Sequence, residues 1–158
     1  MSDYVGIPIK LLTYDEKGEP TGNFETAVFA TARKCSALLK CFRDMAKAEV
    51  ADSKATRKAV FAAKKLNAAE TEEEIDTAAE LADKAATTSE QTQQALMDAI
   101  FSFVTTGFKG AGYTAEEAER YAELVEPKRL MELKAASQYG STRQLDFTKE
   151  PETDLKED

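Results

Sequence analysis

The stretch Gly107-Phe108-Lys109-Gly110-Ala111-Gly112 sets a lysine inside a glycine-rich segment ahead of a helix start at Thr114, a setting in which backbone N–H groups and a cation can hold phosphate. It lacks the Gly-Lys-Ser/Thr order of a P-loop and no apolar strand precedes it, so it reads as a helix-to-helix turn. Glu70, Glu72, Glu73, Glu74 and Asp76 offer hard-metal ligands, but the Asp/Asn alternation and central glycine of a calcium loop are missing, and the run reads as a solvated helix start. Cys35 and Cys41 are the only thiols and the chain has no histidine. Ser-His and Cys-His nucleophiles and imidazole metal sites are thereby excluded. A catalytic site would have to be built from carboxylates and Tyr113, Tyr121 or Tyr139, while Cys35, with no base to activate it, reads as a small buried hydrophobe. The expectation is a non-enzyme with no catalytic residue, no cofactor and no metal.

The remaining candidates are surfaces for a partner. Phe101, Phe108, Tyr113 and Tyr121 lie at the exit of the most apolar helix and in the turn after it, where some should stay exposed for a partner protein; ordinary core is the competing reading. Charge supplies a second signal. Between Lys40 and Lys65 eight basic residues face three acids, whereas Glu70 to Asp83 holds seven acids and no base. Opposite arms of this kind suit an antiparallel helical hairpin that turns near residues 67–71, where Thr71 and Glu74 have capping-box spacing. Exposed pairs contribute only about 0–1 kcal/mol each, so they select the pairing more than they stabilise it. The basic arm has its acidic complement next door and the net charge is -8, which argues against nucleic acid as a partner. Outside residues 70–83 and the C-terminal end, acids are too mixed with Lys and Arg for a DNA mimic.

The elements that carry these residues follow from glycine and proline placement. Gly6, Pro8, Gly18, Pro20 and Gly22 crowd the start, and then neither type occurs from Asn23 to Thr106. That long stretch reads as helix throughout, with its first N-cap at Asn23, Glu25 in the first turn and soft breaks at 67–71 and at Thr87-Thr88-Ser89. On such a helix Cys35 and Cys41 sit about 240° apart and cannot form a disulfide. Ahead of it, Val5, Ile7, Ile9 and Leu11 alternate with Gly6, Pro8 and Lys10 as a strand does, and Pro8 predicts an edge strand. Beyond Gly107, Thr114 and Glu117 form a capping box, and Pro127 suits the first turn of a further helix ending before Gly140.

The predicted fold is mainly α: a single domain over 1–145, with a strand or hairpin region at 5–22, helices over 23–66 and 71–106 forming a long central hairpin, and two short helices over 114–139. The hairpin arms are rich in Ala and thin in large apolar residues, so they are expected to need a partner or second subunit, and a homo-oligomer is admitted. Residues 146–158 hold six acids and two lysines and are expected to form a disordered acidic tail. The start lacks a basic region followed by an apolar run, and the most apolar window, Leu96 to Val104, is interrupted by Asp98 and Ser102. No membrane segment and a cytoplasmic location are the expectation.

Residues 96–136 resemble the tail assembly chaperones of long-tailed bacteriophages and related prophages. The resemblance rests on Leu96-Met-Asp-Ala-Ile-Phe-Ser-Phe-Val104, Phe108, Tyr113-Thr-Ala-Glu-Glu117, Leu124 and Leu130 to Leu133. The start is also similar: a short apolar strand with a turn, Ile7 to Gly18, leads into a helix with an early Arg, here Arg33. The Ala-rich charged segment from about residue 46 to 90 departs from that pattern. The resemblance implies a small, non-enzymatic helical protein that coats the tape-measure protein, keeps it soluble before the tail tube polymerises, and is absent from the finished virion. The alternative expectation is a structural helical component that stays in a phage or cellular oligomeric assembly.

Overall fold

A computed structural model describes residues 6–140 and 143–149. The elements run β1 (Gly6–Tyr14), β2 (Pro20–Ala30), α1 (Ala37–Ala68), α2 (Glu72–Gly110), α3 (Ala115–Leu124), a 3-10 turn (Pro127–Arg129), α4 (Leu130–Tyr139) and β3 (Leu145–Asp146). The predicted mainly helical fold with an N-terminal hairpin, two long central helices and short C-terminal helices is the observed one. Contacts divide the chain into two compact units. One holds the described residues up to Lys40 and from Phe103 onward, the other Cys41–Ser102.

In the first unit β1 and β2 form an antiparallel hairpin. Its turn is built by Asp15, whose carboxylate accepts the N–H groups of Lys17 at 2.8 Å and Glu19 at 2.9 Å. Gly18 takes φ +81° there, a backbone state that costs glycine least. Ile7, Ile9 and Leu11 are fully buried on one face, and the register sets Ile7 opposite Phe29 and Ile9 opposite Ala27, so β2 extends the same apolar face.

The second strand corrects the sequence reading of a helix from Asn23. Asn23 lies within β2, Glu25 pairs across from Leu11, and α1 begins only at Ala37. Lack of a breaker permits a helix without requiring one, and Phe24, Thr26, Val28 and Phe29 are good strand formers once β1 offers them a partner. Pro8 is likewise not on an edge, because the sheet order is β2-β1-β3. It is tolerated because β3 pairs only with Ile9 and Lys10. The Phe147 N–H donates to the Lys10 carbonyl at 2.9 Å, so even-numbered residues of β1 turn their polar groups toward that short strand and Pro8 breaks no bond to β2.

A turn over residues 31–36, in which the Thr31 carbonyl accepts the N–H groups of Lys34 and Cys35, separates β2 from α1. Cys35 therefore precedes the helix rather than sharing it with Cys41, and both thiols are free. At the other end of the chain the expected disordered tail is corrected in its first residues. Asp146 belongs to β3, Phe147 is buried with the Arg129 guanidinium 5.2 Å from its ring, and the Asp146 carboxylate accepts the Thr148 N–H at 2.9 Å. Residues 150–158 of that expectation lie outside the described residues.

The helical part of this unit carries its predicted caps. Thr114 and Glu117 make both bonds of the capping box, and Pro127 occupies the first turn of the 3-10 segment. α2 runs past Gly107 to Gly110, because Gly107 lies where the backbone must approach Phe29. A Cβ at Gly107 would sit 1.9 Å from that ring. Ser137 closes the unit on the other side, donating its hydroxyl to the Ala30 carbonyl at 3.0 Å while its own carbonyl accepts the Ala32 N–H.

Gly107→Ala is expected to lower the unfolding free energy by about 2–4 kcal/mol, because the fully buried Phe29 ring has nowhere to retreat; urea denaturation of the variant measures it. A second expectation concerns pH. The Tyr14 hydroxyl donates to Glu126 at 2.7 Å, which holds the Glu126 carboxyl below its ordinary value and pushes the phenol up. Bonds to Thr148 lower Asp146, and bonds to Thr114 lower Glu117. Lowered carboxyls contribute stability that is complete above their ordinary values near 4 and is lost as pH falls through the folded values. A raised tyrosine contributes stability that is intact below its ordinary value of 10.0 and is lost above it. With no histidine in the chain, urea midpoints should stay level from about pH 5.5 to 8 and decline on both sides.

Candidate partner-binding surface

The second unit is the helical hairpin formed by α1 and α2 between Cys41 and Ser102. From residue 45 to 66 every position is exposed except Met45, Ala48, Asp52, Ala55, Ala59, Ala62 and Leu66, and from 80 to 97 every position is exposed except Ala82, Ala85, Ser89, Thr92 and Leu96. Both series alternate steps of three and four, the heptad seam of a coiled coil. The Thr92 hydroxyl donates to Asp52 at 3.1 Å, which fixes the antiparallel register; heptad counting from it puts Ala55 level with Ser89, Ala59 with Ala85 and Ala62 with Ala82. Cys41 Sγ lies 4.0 Å from the Ser102 carbonyl, in step with the same register. The predicted turn near 67–71 is present, and the Thr71 hydroxyl accepts the Glu74 N–H at 3.1 Å.

The expected break at Thr87-Thr88-Ser89 is absent and α2 is continuous there. The hydroxyls of Thr87 and Thr88 donate back to the carbonyls of Asp83 and Lys84. Inside a helix that bond satisfies the side chain without any need for a cap.

A seam of alanines allows close approach of the arms but covers little of their larger side chains. Phe61 stays 62% exposed, Leu81 49%, Met97 63% and Phe101 45%, with Val50, Val60 and Ile75 similarly open. Apolar surface of this extent on one small unit marks a place of interaction. The Lys65 ammonium lies 5.1 Å from the centre of the Phe61 ring, so the basic arm covers its aromatic residue with charge as well as methylene.

The four residues chosen from the sequence are divided between the units. Phe101 is in the hairpin. Phe108, Tyr113 and Tyr121 belong to the first unit, where they form an aromatic cluster with Phe29 and Phe103: Phe108 is 5.1 Å from Phe29 and 5.4 Å from Tyr121, and Tyr113 is 5.0 Å from Tyr121. Phe108 and Tyr121 are buried. Tyr113 is partly exposed and its hydroxyl accepts the Val28 N–H at 3.2 Å, at the outer edge of β2. Burial raises the Tyr113 phenol above its ordinary value, which the Val28 bond partly opposes. A partner would reach Phe108 only by opening this cluster.

The glycine-rich stretch offers no phosphate cradle. Gly107 to Gly110 are the last turn of α2, and the next helix start is closed by Thr114 and the acidic Glu116 and Glu117. Among the described residues no three His, Cys, Asp or Glu side chains are grouped to hold a metal ion. No described helix is long and apolar enough to cross a membrane. Sequence reasoning missed the exposed Phe61 and Leu81 as surface residues. The three-four spacing of Ala55, Ala59 and Ala62 on one arm and of Ala78, Ala82 and Ala85 on the other was the signal, because it claims the seam there and leaves Phe61 and Leu81 outside it.

The hydrogen-bonded Asp52–Thr92 layer in that seam should act as a register pin. Replacing Asp52 and Thr92 together by Leu is expected to raise the melting temperature while adding oligomeric species in light scattering after gel filtration, since a polar layer costs stability and specifies pairing. No protein-family model matches the chain, and no curated protein or solved structure is significantly similar to it.

Proposed function

We propose that the chain is a tail assembly chaperone of a long-tailed phage or prophage, a non-catalytic protein of the host cytoplasm that binds the tape-measure protein and keeps it soluble until the tail tube polymerises. The observation that supports this reading most is the alanine-seamed hairpin with Phe61, Leu81, Met97 and Phe101 half exposed or nearly so. Such a hairpin is equipped to lend apolar surface to another helix. A tape measure is a long, apolar-patterned helical chain that needs cover of this kind, and a chaperone that must later let go is suited by shallow contacts with modest buried area. The resemblance of residues 96–136 adds to it, although most of that block lies in the first unit and supplies packing.

Co-expression with the tape-measure protein encoded nearby is the test. The expected outcome is a soluble tape measure that co-purifies with this chain, and purified particles that lack it. An insoluble tape measure with no co-purification would sink the reading. Stoichiometric recovery in finished particles would make the chain a structural component of the assembly.

A further inference from the structure

Three clefts between the hairpin arms join into one groove. Lys58 and Ala85 line both the first and the second, and Lys65, Ala78 and Leu81 line both the second and the third. The groove thus runs from Ala55 to Ala69 along α1 and its end, about 20 Å at helical rise, or four turns of a helix laid in it. Alanine methyls form the floor, and the exposed Phe61 and Leu81 form the walls. Lys58, Lys65 and Lys84 stand along its rim, while Glu73 and Glu74 meet it only at the tip.

We propose that this groove binds an acidic amphipathic helix of another protein. Apolar residues of that helix at i, i+3 and i+4 would cover Phe61 and Leu81, and its carboxylates would lie beside Lys58, Lys65 and Lys84. An extended strand is a poor occupant, because its backbone N–H and C=O groups would face alanine methyls with no partners. A second copy related by a two-fold axis along the groove would set this lysine rim against itself, and one related by an axis across it would still set Lys65 against Lys65 near the middle. A nucleic acid strand would meet the lysines and stack a base on Phe61, but the alanine floor offers no partner to its base edges, and Glu73 and Glu74 would repel its phosphates. The charges also set a direction: the positive N-terminus of the docked helix faces Glu73 and Glu74, and its C-terminus faces Lys58 and Lys84. The inference goes beyond the chaperone reading and does not depend on the tape measure being the occupant.

Fluorescence anisotropy with the full chain tests it. The probes are a labelled synthetic helix of about 20 residues with Leu at i, i+3 and i+4 flanked by Glu, its counterpart with every Glu replaced by Lys, and a single-stranded oligonucleotide. The acidic helix should bind at least about tenfold more tightly than the basic one, and less tightly as salt rises. Lys58→Glu combined with Lys65→Glu should reverse that preference, and Phe61→Ser should weaken the acidic helix about tenfold. Melting curves followed by circular dichroism should be unchanged, since all three side chains are exposed. Equal binding of the two helices, or a preference that survives the charge reversal, would overturn the proposal. So would tighter, lysine-dependent binding of the oligonucleotide, or a dimer in sedimentation that the reversal dissolves.

Discussion

The first unit depends on one close approach, the Phe29 ring against the α2 backbone at Gly107. A side chain on a strand can lie that near a helix only where the helix presents no Cβ, and Gly107 is the residue that permits it. Phe103 and Phe108 flank Gly107 and meet the same ring edge-on at 5.3 Å and 5.1 Å, the arrangement aromatic pairs prefer. Phe108 then hands the contact on to Tyr121 and Tyr113, and Tyr113 returns to the sheet through the Val28 N–H. The hairpin, the end of α2 and α3 are therefore held by a closed circuit of aromatic contacts rather than by a set of independent ones.

The two units use opposite means. The first concentrates large side chains: Phe29, Phe103, Phe108, Ile7, Ile9, Leu11, Leu38 and Leu133 are all sealed from solvent. The second spends alanine on much of its seam and leaves Phe61, Leu81, Met97 and Phe101 largely outside. Close alanine packing gains dispersion contacts but removes little apolar area from water. What holds such a hairpin in register is its short turn, its cap at Thr71 and the hydrogen bond between Thr92 and Asp52. Stability and availability for a partner are drawn from separate parts of the chain, and burying the large residues of the hairpin would remove the surface it offers.

What could be read from the sequence was local. The alternation of Ile7, Ile9 and Leu11, the Thr114–Glu117 box, Pro127 and the turn before Thr71 are each decided within a few residues, and each appears as expected. What escaped was decided at a distance. β2 has apolar residues on both faces, with Phe24 and Val28 on one and Ala27 and Phe29 on the other, so its period-two signal is muted until β1 is laid beside it. Pro8 looked like an edge residue because the shortness of β3 cannot be seen from Leu145 and Asp146 alone. Phe147 sat unnoticed in an acidic stretch, although a lone large aromatic there is the residue that docks. Of the partner candidates, Phe108 and Tyr121 have the same composition signal as a surface aromatic, and only the fold tells them apart from Phe101.

The strict heptad of the hairpin has a consequence for how this chain can vary in length. Insertions or deletions within an arm would throw every later layer out of phase, turning alanines outward and charges into the seam. A change that removes or adds one heptad in each arm, about 14 residues in all, leaves the phase of every remaining layer intact. Related chains should therefore differ in hairpin length by such paired steps, with the turn moved outward or inward and the layer of Asp52 and Thr92 kept in place. Arm length becomes a quantised trait, adjustable at the tip like the rungs of a ladder.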